Sequence, residues 1–184
     1  MSKPKAVRKV EKTDRRIARK AAKAAEHKPL RVGAALGGWA DQPPVAVLCA
    51  GVVMASAVLN DRRLLRTGLR MGAAFAVTTL AKALVKSAVD RTRPATARRG
   101  RYKSGKGRHN EGPWNSFPSG HTGNAVTLAS AIAREYPDLA LSAVATAVLT
   151  GVAQLPREAH YASDVIAGAA IGAAAEAATS RLFA

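Results

Sequence analysis

Residues 45–59 read VAVLCAGVVMASAVL, a run without a single charge, opened by Pro43-Pro44 and closed by Asn60-Asp61-Arg62-Arg63. It is about twice as long as an ordinary strand, has no period-two alternation and is rich in alanine, the best helix former, so it reads as a buried or membrane helix. The same reading extends outward to helical segments over about residues 64–86, 122–134, 139–155 and 165–182, again dominated by alanine and glycine. The fold class is therefore all-α, a membrane helical bundle of about five to six helices. A span needs about 20 apolar residues, and several of these Ala-rich runs are shorter, so the membrane assignment rests on the set rather than on any one run. Gly51, Ala55, Gly168, Gly172 and Ala175 recur at spacings that let helix backbones approach closely, the packing mode favoured in lipid.

The flanks of this apolar core are strongly basic. The 184 residues carry 29 Lys and Arg against 12 Asp and Glu, a formal charge of +17 and a pI near 11.1, which attracts polyanions: nucleic acid, anionic lipid head groups or phosphorylated substrates. A single cysteine, Cys49, inside the first apolar run, excludes an intrachain disulfide framework and a cysteine-based zinc site and reads as a small buried hydrophobe. Residues 3–31 form a basic arm in which Val10, Ile17, Ala21, Ala24 and Ala25 fall near one helical face. That stripe is mostly alanine, so the amphipathicity is expected to be weak and the helix to be solvated or to lie on a membrane surface. The chain thus divides into an arm with an interfacial helix over residues 1–42 and a membrane domain over residues 43–184. No cleavable leader is expected, because an apolar stretch ending in a small-residue cleavage site is missing from the first thirty positions.

Three polar islands sit at the edges of these helices: Lys86 followed by Arg93-Pro94, then Pro118-Ser119-Gly120-His121, then His160 with Asp164. The two helices between His121 and His160 form an up-down hairpin, which returns both histidines to one end of the bundle, where Lys86 and Arg93 also lie. Such a cluster has the parts for phosphoryl transfer: fixed positive charges for the phosphate oxygens, a neutral imidazole as nucleophile and a second imidazole to protonate the leaving group. His160 and Asp164, four apart, would share a helix face, so Asp164 can hold one ring nitrogen while the other attacks phosphorus. Ser119 and Gly120, just before an apolar helix, can offer a hydroxyl and backbone N–H groups to an anion.

These three islands resemble the motifs of the type 2 phosphatidic acid phosphatase family. Residues 86–94, KSAVDRTRP, look like its first motif, Pro118-Ser119-Gly120-His121 its second, and His160-Tyr161-Ala162-Ser163-Asp164 the end of its third, so the resemblance covers roughly residues 86–168. An exact PSGH tetrapeptide arises by chance in on the order of one in a thousand such chains, and the ordered set is far more specific. The resemblance implies a helical-bundle hydrolase, shared with the vanadium haloperoxidases, that acts without metal or other cofactor. In it the residue matching His160 becomes phosphorylated, that matching His121 is the acid, and those matching Lys86 and Arg93 grip phosphate. Family substrates include lipid phosphates such as phosphatidic acid and polyprenyl diphosphates. One position departs from the pattern. The third motif usually begins Ser-Arg, with the arginine six residues before the histidine, and here Ala153-Gln154 stand in those places. Arg157, three residues before His160 in a loop made irregular by Pro156, can supply the missing guanidinium; otherwise Gln154 meets phosphate with less charge.

Competing signals are weaker. Residues 100–107 imitate a Walker A loop, but Gly107 stands where Ser or Thr should hold magnesium, so nucleotide binding there is rejected. His27 and His109 have no partner pattern and read as solvated, and Trp114 and Phe117 read equally as an entrance or as loop packing. The rival functions are a noncatalytic basic membrane protein that binds anionic lipid, which the Gln154 departure favours, and a nucleic-acid binder, which leaves the histidine motifs unexplained; no specific nucleic acid is expected. Because the arm and the motif loop are both Lys/Arg-rich, the positive-inside rule favours the cytoplasm for both, whereas the resemblance implies an extracytoplasmic site, as in many members of the family.

Overall fold

In the computed structural model, which describes residues 4–25, 38–107 and 112–183, several of the long helices begin where a side chain supplies an acceptor for their first N–H groups. Asp41 accepts from the Gln42 amide at 2.9 Å and starts α2, Gln42–Leu59, after an N-terminal helix α1, Lys5–Ala24. Asn60 ends α2 in the left-handed conformation (φ 52°), a turn that Asn tolerates well. Asp61 then accepts from the amides of Arg63 and Leu64 at 2.8 and 3.0 Å and opens α3, Arg62–Ala88. The remaining long helices are α5, Gly120–Glu135, α6, Ala140–Ala153, and α7, Ala162–Ser180. Between α3 and α5 the polar stretch forms a two-stranded antiparallel ribbon, β1, Val89–Arg91, and β2, Ser104–Lys106, with a short helix α4, Pro94–Arg99, between the strands. The ribbon is a small addition to the all-α expectation, made by a stretch too short and polar to show period-two patterning. The sequence readings of His27 and His109, and of the basic residues 26–37 and Arg108, lie outside the described residues.

Helix α5 is central, packed against α3, α6 and α7, while α2 packs on α3. The core is small-residue and partly polar: Val45, Cys49, Met71, Leu128 and Ala131 form one cluster, and Thr78 and Thr127 bridge α3 and α5 at 2.7 Å. Cys49 is buried and free, as its place in the run suggests. Gly168 and Gly172 allow α7 to touch α5: a Cβ at either would collide with the carbonyl oxygen of Ser119 or Gly123. Gly51, grouped with them on spacing, faces open space instead. Large apolar side chains ring the outside, with Val58 and Leu141 each 83% exposed. Helices α2 and α3 are long and apolar enough to cross a membrane.

The bundle helices α2, α3, α5, α6 and α7 alternate, so the start of α2, the end of α3, the start of α5, the end of α6 and the start of α7 gather at one end of the bundle. At the opposite end Arg70 pairs with Glu135 (3.1 Å) and Glu176 (3.4 Å), and Arg134 with Glu176 (2.9 Å). Helix α1 departs from the weak amphipathicity expected of the arm. Its lysines and arginines make it strongly amphipathic despite the small size of its apolar residues, and its buried positions, Asp14 and Ala18, dock against the start of α7.

Candidate active site

The sequence-predicted residues converge at that gathered end. A cavity of about 310 Å³ is lined by Lys86 from α3, Arg93 from the turn before α4, and Gly120 and His121 from the start of α5, together with Asp41, Lys82, Asn115 and Asn124. His160, Ser119 and Asp164 are almost fully buried beside it, and Arg157 is exposed on the α6–α7 connection. Each cation is aimed. Lys86 donates to the side-chain and main-chain oxygens of Asn115 at 2.6 and 3.2 Å, and Lys82, one helical turn earlier, donates to the side-chain oxygen of Asn124. Asn124 is fixed in turn by the Ala40 carbonyl at 2.8 Å, and Arg93 is braced through Nε on the Gly112 carbonyl at 2.9 Å.

The His121 and His160 rings lie with centroids 6.4 Å apart. His160 Nδ1 is 2.6 Å from the carbonyl oxygen of Ser116, an acceptor, so Nδ1 must carry the proton and Nε2 is left with its lone pair. Burial first, and then the charge of Arg93, hold the His160 imidazole well below its ordinary pKa, partly offset by the bond to Ser116; the ring is neutral and nucleophilic at neutral pH.

Asp164 does not hold the ring directly, contrary to the sequence expectation: its nearest oxygen is 3.9 Å from His160 Nδ1. The i,i+4 argument fails because α7 begins only at Ala162, which puts His160 before the helix. Asp164, at the third helical position, turns back to accept the Tyr161 amide at 2.8 Å, as capping residues there do. The same oxygen accepts the Ser116 hydroxyl at 2.6 Å, so the carboxylate steadies the residue whose carbonyl steadies the imidazole. Its other oxygen accepts from Arg91 at 2.5 Å.

Ser119 also differs from its expected use. Its hydroxyl is buried as the N-cap of α5, bonded to the Thr122 hydroxyl at 2.9 Å, so what this helix start offers an anion is backbone N–H rather than a hydroxyl. Gln154 is fully buried, with its side-chain amide on the Thr150 carbonyl at 2.9 Å, and its own carbonyl accepts from the Ala159 amide at 3.2 Å. It stands in the wall of the bundle and does not line the cavity. Arg157 lies close enough for its charge to act on His121, and Glu158 beside it takes a positive φ of 53° in the irregular loop. Sequence reasoning missed Lys82, Asn115, Ser116, Arg91 and Asn124; of these only Lys82 left a signal, its spacing of four from Lys86.

Residues 67–184 match the model of the PAP2 superfamily. The chain belongs to that superfamily. Among curated proteins, it is 36% identical over 77 residues to the lipid A 1-phosphatase of Porphyromonas gingivalis and 41% identical over 58 residues to that of Rhizobium johnstonii. These alignments take in 40% and 32% of this chain but only 17% and 24% of those proteins, so it matches a small part of their length. The PAP2 fold is also that of two solved structures. Aquifex aeolicus LpxE has a TM-score of 0.63 at 18% identity, covering 90% of this chain and 93% of that one. The transmembrane PAP2 type phosphatidylglycerolphosphate phosphatase of Bacillus subtilis has a TM-score of 0.62 at 22% identity, covering 98% and 87%.

Proposed function

We propose that this PAP2 protein is a multi-pass membrane phosphatase that hydrolyses a phosphate monoester or diphosphate of a lipid through a phosphohistidine, without metal. The observation that carries the reading is the fixed His160 tautomer: Nδ1 is tied to the Ser116 carbonyl, and the Nε2 lone pair is left free beside His121 and a cavity walled by Lys82, Lys86 and Arg93. In the first step Nε2 of His160 attacks phosphorus, the bond to the ester oxygen breaks, and protonated His121 gives its proton to the departing alkoxide. In the second, water attacks the phosphohistidine with His121 as base, and inorganic phosphate leaves as His160 regains its lone pair. The cations and the start of α5 stabilise the charge that develops on the phosphoryl oxygens, where each well-placed donor contributes about 2.7–4 kcal/mol in comparable sites.

The exposed apolar ring around the bundle and the two span-length helices support a membrane setting, with the ester at the cavity and acyl or prenyl chains outside it. The relatives' action on lipid A and phosphatidylglycerolphosphate favours a lipid phosphate, with phosphatidic acid-like and polyprenyl diphosphate substrates the candidates to compare. The gathered end holds both the cavity and the basic arm, so the positive-inside rule favours a cytoplasmic site. The test is phosphate release in detergent with EDTA from phosphatidic acid, lysophosphatidic acid, lipid A and an isoprenyl diphosphate. Release by the wild type that is abolished in His121→Ala and in His160→Ala is expected. The alternative, a noncatalytic protein that binds anionic lipid, is favoured by buried Gln154 in place of an arginine fork, and absence of release from every substrate by folded protein would select it.

A further inference from the structure

The arm helix is more than a basic appendage. Asp14, 3% exposed, points inward from α1, accepting from Arg91 Nη2 at 2.7 Å, from the Ser163 amide at 3.0 Å and from the Ser163 hydroxyl. Arg91 spends its other terminal nitrogen on the Ser163 hydroxyl at 2.7 Å and on Asp164 at 2.5 Å, and its guanidinium lies 4.3 Å from the Tyr161 ring centroid. One guanidinium therefore bridges two buried carboxylates, Asp14 from the arm and Asp164 from α7. From Asp164 the bonds run on through the Ser116 hydroxyl, and the Ser116 carbonyl reaches His160.

We propose that Asp14 is a positioning residue for His160, holding the nucleophile's support in place from the N-terminal arm through Arg91, Asp164 and Ser116. The proposal rests on the phosphatase reading above. Removing one member of a buried, hydrogen-bonded charge cluster leaves the others less compensated, so loss of the Asp14 carboxylate leaves Arg91 to Asp164 and the Ser163 hydroxyl and pulls the Asp164 carboxylate away from Ser116. The groups that face His160 are Lys86 from α3, Arg93 from the turn before α4, the Ser116 carbonyl, His121 from α5 and Asp164 from α7. Added positive charge at Arg91 makes the imidazole harder to protonate, so the acid limb of kcat moves to lower pH while the weaker base attacks more slowly.

The experiment compares wild type with Asp14→Asn, Asp14→Glu and Lys12→Ala, the last on the exposed side of the same helix. Turnover is referred to the burst of phosphohistidine so that unfolded protein does not count, and the His160 ring is followed by nitrogen NMR of histidine-labelled protein. Asp14→Asn is expected to lower kcat about tenfold, the low end for partners that orient a ligand or base, with KM unchanged, the acid limb shifted down and the His160 signal moved. Asp14→Glu is expected to restore most of kcat, and Lys12→Ala to match wild type. Wild-type kcat in Asp14→Asn, or a loss that follows only the unfolded fraction with the His160 titration unmoved, overturns the proposal. If Asp14→Asn does not fold, Ser163→Ala decides: a fall in kcat with a moved His160 signal supports positioning, and an unchanged signal overturns it. Should wild type hydrolyse none of the substrates, the functional reading falls by itself, and the His160 signal in Asp14→Asn still decides the positioning claim.

Discussion

His160 is 2% exposed and kept neutral by burial, which makes both stability and rate depend on pH in a definite direction. The unfolded chain takes up a proton near pH 6.5 and the folded chain resists it until well below, so the unfolded state binds more protons in that window. Stability conferred by the neutral ring is therefore complete above about pH 6.5 and falls as pH drops towards the folded value. Denaturant unfolding of wild type and His160→Gln between pH 7 and 5 should show a steeper acid loss in wild type. A second residue-scale expectation separates the two candidates for the family's missing arginine. Arg157→Ala should lower kcat/KM about ten- to a thousandfold, as loss of a charged phosphate contact does, whereas Gln154→Ala should cost stability of about 1–2 kcal/mol with kcat/KM nearly unchanged. Steady-state kinetics beside thermal unfolding reads both.

At the scale of the helices, α5 and α7 meet through Gly168 and Gly172, and the Ser119 amide donates to the Asp164 carbonyl at 3.0 Å across the same contact. A side chain at either glycine must push apart the two helix starts that carry His121 and Asp164. Gly168→Leu is expected to destabilise by about 1–3 kcal/mol or more and to lose activity even where the protein remains folded, read by unfolding and turnover on the same sample. The helices themselves were legible because long alanine-rich runs cannot read as strands, and the convergence of Lys86, Arg93, His121 and His160 followed from alternating helices. What could not be read was anything set by tertiary contact. The local i,i+4 pairing of His160 with Asp164 gave way to a cap at the start of α7, and Ser119 gave its hydroxyl to its own helix. Ser116 and Arg91 serve through partners dozens of residues away, which leave no periodicity behind. The amphipathicity of the arm was misjudged because its apolar stripe is small, while a buried carboxylate, Asp14, helps to dock it.

For the whole molecule, the two ends of the bundle differ in chemistry. One gathers Lys82, Lys86 and Arg93 around a cavity; the other closes on the paired charges of Arg70, Glu135, Arg134 and Glu176. Glu176→Ala takes one of two carboxylates from buried Arg70 and leaves Glu135, so it should cost about 1–3 kcal/mol, while Glu176→Gln costs less, both measured by thermal unfolding in detergent. With the arm and the cavity at one end, single cysteines introduced into Cys49→Ala protein at Lys9 and at Arg157 should react with an impermeant thiol reagent from the same side of sealed vesicles, the cytoplasmic one. Labelling from opposite sides would break the proposed arrangement.

The contact between Asp14 and Ser163 joins residues 149 positions apart, the first helix to the last. During synthesis the chain emerges arm first, and Asp14 can meet Arg91 before Ser163 and Asp164 of α7 have been made. The support proposed for His160 is thus completed only with α7, so a chain interrupted after His160 would carry Lys82, Lys86, Arg93 and the proposed nucleophile yet lack Ser163 and Asp164. Under the proposed function, hydrolytic competence therefore waits on the making of α7.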